Sequence, residues 1–124
     1  MPAWSTRIAN EFIRLAVADG RDLNQSQLQK LIYIAHGWRL AFSGEPLTGD
    51  RPEAWSFGPV YRRLANALAA YGNEPVRDEI PFTEETTSSI LNENYRDRSD
   101  LDAVELDLIS LIYQEYGGLK TSQL

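Results

Sequence analysis

The chain has 124 residues, a net charge of −6, one histidine and no cysteine. The missing cysteines exclude disulfide frameworks, thiolate chemistry and zinc–cysteine sites. Apolar residues at 43% and charged residues at 24% are ordinary for a single globular domain, which at this size buries roughly two-thirds of its unfolded surface.

The first predicted helix runs to about Ala18, capped by Ser5 or Thr6, with Ile8, Phe12, Leu15 and Ala16 as its apolar stripe. Asp19-Gly20 ends it. Asn24 and Gln27 form a capping pair for a second helix from Gln25 to Ser43, stopped at Gly44. On it Leu31, Ile32, Ala35, Trp38 and Phe42 share one side, while Tyr33, Leu40, Ile34 and Ala41 extend the grease to others. Only an arc with Gln25, Gln29, His36 and Arg39 stays polar. A helix apolar nearly all round belongs at the centre of a fold.

Residues 45–52 carry turn signals. A small hairpin of residues near 46–48 and 53–57 follows, and Gly58-Pro59 is read as the start of a third helix. Its stripe is Val60, Leu64, Ala67, Leu68 and Tyr71, closed by Gly72. Thr83 opens a weak fourth helix to about Tyr95, with Phe82, Ile90 and Leu91 as its apolar residues. Ser99 with Asp102 caps a fifth to about Tyr116, striped by Leu101, Val104, Leu108, Leu111 and Ile112. Residues 120–124 read as the opening of another helix. The expected fold is mainly α: one compact bundle of about five helices around a central hydrophobic helix, with a small β-hairpin.

No catalytic constellation emerges. His36 and Ser43 share one helix but stand two turns (~10 Å) apart, too far for a nucleophile–base bond. Asp97, Asp100, Asp102 and Glu105 cluster without the central glycine of a calcium loop. Glu84 and Glu85 point about 100° apart and favour a helix dipole rather than acid–base work. Lys30 is read as a snorkelling side chain whose stem lies on the core. No catalytic residue, metal or cofactor is expected. No apolar run approaches the roughly 20 residues that span a bilayer. The N-terminus lacks an export pattern, so a cytoplasmic location with no membrane partner is expected.

Charge is uneven. Residues 1–73 carry eight Arg and Lys against six Asp and Glu, net +2; residues 74–107 carry three against eleven, net −8. The acidic half argues against general nucleic-acid binding and would steer a basic partner. Arg62 and Arg63 beside Tyr61 form the best basic–aromatic cluster. With aromatic anchors dominating protein interfaces, Trp55, Phe57, Tyr61, Arg62, Arg63 and Tyr71 are the candidate partner contacts.

Four blocks in order carry a family resemblance: residues 9–13, residues 28–38 (Leu-Gln-Lys-Leu-Ile-Tyr-Ile-Ala-His-Gly-Trp), residues 44–47 and residues 53–60 (Glu-Ala-Trp-Ser-Phe-Gly-Pro-Val). They resemble the Panacea domain family, also described as SocA-like or GepA-like phage-associated proteins, over residues 8–72. The chain departs from it where Ser26 or Gln27 replaces a lysine. The family pattern also continues past residues 121–124 into a further helix with a Thr-His pair and a later Trp, so the chain is expected to lack that helix. The resemblance implies a prophage-associated antitoxin of a toxin–antitoxin system that neutralises a cognate protein toxin by direct binding. It also implies an alternative, a proteolytic adaptor handing its toxin to an AAA+ protease. An RNA-binding regulator is a third reading, recognisable by binding that weakens steeply with salt.

Overall fold

A computed structural model describes residues 3–56, 58–81, 101–120 and 123–124. Among them are four α-helices: α1 (Ser5–Ala18), α2 (Gln25–Ser43), α3 (Arg62–Leu68) and α4 (Ala103–Tyr116). Strands β1 (Glu53–Trp55) and β2 (Gly58–Val60) form an antiparallel pair, and a 3-10 turn (Ala69–Tyr71) extends α3. The expected mainly helical class with a small hairpin holds. The predicted fourth helix from Thr83, with Phe82, Glu84, Glu85, Ile90 and Leu91, lies outside the described residues. So do Asp97, Ser99 and Asp100.

Helices α1 and α2 pack against α4 and each other, α3 lies across α1 and α2, and β2 rests on α2. Ile8, Phe12, Leu28, Leu31, Ile32, Leu64 and Ile109 fill the shared core. Helix α2 starts in a capping box: Asn24 Oδ1 accepts from Gln27 N–H at 2.9 Å, and Gln27 Oε1 from Asn24 N–H at 2.9 Å. Gly44 ends it with φ 72°, a left-handed residue that takes glycine at no steric cost.

The cap of α1 comes from elsewhere. Trp4 is its N-cap and contributes no side-chain cap bond. The Asp50 carboxylate, 45 residues on, instead accepts from the Ser5 backbone N–H at 2.7 Å and from the Ser5 hydroxyl. A carboxylate at a helix N-terminus satisfies an orphan donor and complements the dipole. Asp50→Ala should therefore cost about 1–2 kcal/mol, read as a lower urea midpoint by circular dichroism.

Three other expectations change. Residues 53–55 pair with 58–60, not with 46–48; Thr48 instead makes an isolated parallel bridge with Ala3. Gly58-Pro59 is strand rather than helix start. Gly58 turns the chain at φ 126°, and Pro59 sits in a two-stranded edge, where a missing N–H is tolerated. Helix α3 thus starts after Tyr61. On α4, Asp102 is the N-cap, paired with Glu105 in a capping box. That bond lets Glu105 enter the buried line with Leu108, Ile109, Ile112 and Tyr113, and it rotates Val104 and Leu111 to the outside. Lys120 and Gln123 exchange two hydrogen bonds of 2.8 Å, one through the Gln123 side chain.

Candidate protein-interaction surface

Helix α2 buries Leu28, Leu31, Ile32 and Ala35 as expected, and the polar arc beside them also bonds to the rest of the protein. Gln25 donates to the Gly72 carbonyl at 2.6 Å. Gln29 is buried; it donates to the Tyr61 carbonyl at 3.1 Å and accepts from the Tyr61 N–H at 2.7 Å. His36 Nδ1 accepts from the backbone N–H groups of Leu47 and Thr48, at 3.1 and 3.3 Å. Arg39 reaches Glu45 at 3.1 Å. Residues 25, 29, 36 and 39 follow helical spacing, so one face of α2 holds the chain at Glu45, Leu47, Thr48, Tyr61 and Gly72.

The His36 geometry fixes a neutral ring with its proton on Nε2. Burial pushes its pKa below the ordinary 6.5, partly opposed by Asp50. The folded state thus binds this proton more weakly than the unfolded chain, and stability is lost as pH falls below about 6.5. Unfolding free energy measured from pH 7.5 to 5.5 should decline, and the decline should flatten in His36→Asn, whose amide oxygen can still accept.

Elsewhere on α2, Tyr33 (45%) and Leu40 (44%) are exposed on one flank, and Trp38 (37%) and Phe42 (74%) on the other, past the end of the buried stripe. Trp38 and Phe42 lie 5.6 Å apart, ring to ring. Trp38 and Phe42, expected in the core, stand beyond the last buried turn, which ends at Ala35. Sequence reading missed this surface because hydrophobicity marks a face as apolar without saying what covers it. Gly37 lies on the flank of Tyr33 and Leu40. A Cβ built there meets nothing within 4 Å. Glycine inside a helix costs about 1 kcal/mol against alanine, and no packing within the described residues requires it.

The hairpin presents a second surface. Arg62 grips Glu53 through two bonds of 2.8 and 2.9 Å, and the Trp55 indole donates to the same carboxylate at 3.2 Å. The Arg62 and Trp55 contacts hold the Glu53 carboxyl down at about 2. Arg62 also lies 5.7 Å over the Trp55 ring. Beside them a cleft of about 390 Å³ opens between α2, the hairpin and α3.

The six residues expected to contact a partner therefore separate. Trp55 and Arg62 are exposed and adjacent. Arg63 lies 3.9 Å over the Trp4 ring and covers it. Tyr71 is half-buried against the core. Tyr61 is fully buried, and burial pushes its phenol up to about 12. Its side chain is structural, because Gln29 holds its backbone inward. Phe57 lies outside the described residues. Lys30 has its stem beside Gly58 and its side chain on the cleft. Among the described residues no helix is long and apolar enough to cross a membrane.

Such a chain is a small helical domain with its connections fastened to one helix and an aromatic exterior left open. It belongs to the antitoxin SocA-like, Panacea domain family, whose model matches residues 28–124. It is similar to antitoxin SocA of Caulobacter vibrioides (strain NA1000 / CB15N), 38% identical over 65 residues, or 52% of this chain and 35% of that protein. The match thus spans about a third of the length of this relative. No solved structure matches the chain.

Proposed function

We propose that the chain is an antitoxin that neutralises a cognate protein toxin by direct binding in the cytoplasm, with the outer face of α2 as a principal contact. The observation that carries this reading is the set of large apolar side chains that α2 leaves exposed within the family-matched segment: the Trp38–Phe42 ring pair near its end, and Tyr33 and Leu40 on the flank that carries the unpacked Gly37. Large aromatic residues supply interface anchors, and a glycine lets a partner approach the helix backbone closely. Trp55 and Arg62 extend the contact, and the acidic segment 74–107 favours a basic toxin surface.

The test is co-expression with the product of the neighbouring gene. Growth arrest should be relieved by this chain and not by a variant carrying Trp38→Ser and Phe42→Ser. Unchanged arrest with the wild-type chain defeats the reading. The toxin's half-life separates mechanisms: a blocking antitoxin leaves it unchanged or longer, whereas an adaptor for an AAA+ protease shortens it.

A further inference from the structure

Helices α2 and α4 also meet along a seam away from the connections that α2 holds. Gln27, in the first turn of α2, donates to the Leu119 carbonyl just past α4 at 3.0 Å, and Tyr113 of α4 donates to Asp19, ahead of α2, at 2.9 Å. The two packed helices therefore run antiparallel. Fifteen residues separate Gln27 from Phe42, and fifteen separate Leu119 from Val104, so the last turn of α2 stands near the level of the first turn of α4. Trp38 lies three helical turns beyond Gln27, on the side of α2 that meets α4. On α4, Ser110, Tyr113 and Gln114 border the groove against α1, which puts Val104, Leu111 and Glu115 on the flank toward α2. Val104 and Leu111 are exposed there. Asp107 and Glu115 stand one turn to either side of Leu111, about 12 Å apart along the helix. Among the described residues both acids are exposed, and neither has a hydrogen-bond or ion-pair partner. Helix α4 contains no Lys or Arg to neutralise them.

We propose that this seam receives a basic amphipathic helix from the partner protein. Its apolar stripe lies on Trp38, Phe42, Val104 and Leu111, as an amphipathic helix lies in an apolar groove. Two of its Lys or Arg side chains, two turns apart, pair with Asp107 and Glu115. Charge decides the occupant. Unpaired acids repel a phosphate backbone or an anionic membrane, and a second copy of this chain would bring its own acids to the seam. This inference rests on the reading of the chain as a protein-binding module and carries the contact from α2 onto α4, but its test does not require the toxin.

The probe is an end-blocked peptide of fourteen residues with leucines on one helical face and lysines on the other. It is titrated into the full chain while the three tryptophan indole N–H resonances are followed by NMR. The Trp38 resonance should shift saturably, with those of Trp4 and Trp55 unmoved. The counterpart peptide with glutamates for lysines should move none of them. Asp107→Asn with Glu115→Gln should weaken binding about fivefold, the range of two exposed ion pairs. Glu74→Gln with Asp78→Asn removes the same charge from two acids that are also exposed and unpaired among the described residues, and should leave binding unchanged. Equal loss in the two double variants, or no loss in either, overturns the proposal. So does a shift of Trp55 in place of Trp38, or a dimer seen by sedimentation that Trp38→Ser with Phe42→Ser dissolves, which would give the seam to a second copy. If the peptide behaves as expected while toxin arrest is not relieved, the seam stands and the antitoxin reading falls. If arrest is relieved while the peptide leaves Trp38 unmoved, the antitoxin reading stands and the seam falls.

Discussion

Gly37→Leu is expected to stabilise the chain and at the same time to abolish toxin binding. The two signs come from different environments. Within the protein, nothing lies within 4 Å of the new Cβ, and the backbone is ordinary helix. Leucine lowers the helix cost of glycine by about 0.5–1 kcal/mol, so the melting temperature should rise. At the interface, the branched side chain fills the gap between Tyr33 and Ala41 through which a partner reaches the helix. Truncating the aromatic pair near the end of α2 tests the other exposed flank. Trp38→Ser with Phe42→Ser should weaken toxin binding by about two orders of magnitude or more, at about 2 kcal/mol for each central aromatic. Those residues stand outside the core, so folding should change little. Calorimetric titration with purified toxin, paired with thermal unfolding of each variant, checks both signs. If Gly37→Leu and the Trp38/Phe42 variant both bind like the wild type, α2 is not the contact.

The second large effect concerns Gln29. Gln29→Ala should destabilise the protein by about 2–4 kcal/mol, a large share of a typical domain's 5–15 kcal/mol. The amide satisfies both backbone groups of Tyr61 in a buried setting. Its loss leaves a donor and an acceptor without water or protein to replace it, at about 1–3 kcal/mol each. Gln29→Glu should fail too, since a carboxylate can take the Tyr61 N–H but cannot donate to its carbonyl, and it buries a charge. Gln25→Ala is the control. Its single bond to Gly72 is exposed, and its loss should cost under about 1 kcal/mol. Urea unfolding of the three variants ranks them directly. Equal costs for Gln25→Ala and Gln29→Ala would refute the special role of the Tyr61 clasp.

How much of this was legible beforehand follows from where each signal lives. The bounds of α2, its Asn24–Gln27 box and its Gly44 stop are local chemistry, and they were readable in the sequence. Asp102 was read as the companion of a Ser99 cap; it is itself the N-cap, and Glu105 looks like a surface acid until its bond to the Asp102 N–H is seen. The cap of α1 was misread because its acceptor arrives from Asp50, and sequence proximity carries no trace of that. Gly58-Pro59 was ambiguous in principle: a proline suits both a helix start and an edge strand, and only pairing with β1 decides. The polar arc of α2 was recognised, but not the backbone groups it binds. Amides and an imidazole look like solvent-facing residues until a connecting segment offers its backbone to them. Of the expected contact residues, Trp55 and Arg62 stand together, while Tyr61 was drawn inward by that same backbone demand.

The division of labour on α2 has an evolutionary consequence. Gln25, Gln29, His36 and Arg39 secure the architecture, while Tyr33, Gly37, Trp38, Leu40 and Phe42 are exposed on other flanks of the helix and lie outside the buried core. Mutational drift along the outer register can therefore explore new binding preferences with folding largely spared, whereas the inner register is held almost fixed. A library randomised at the five outer positions should stay predominantly folded, and it offers a route to retargeting this scaffold.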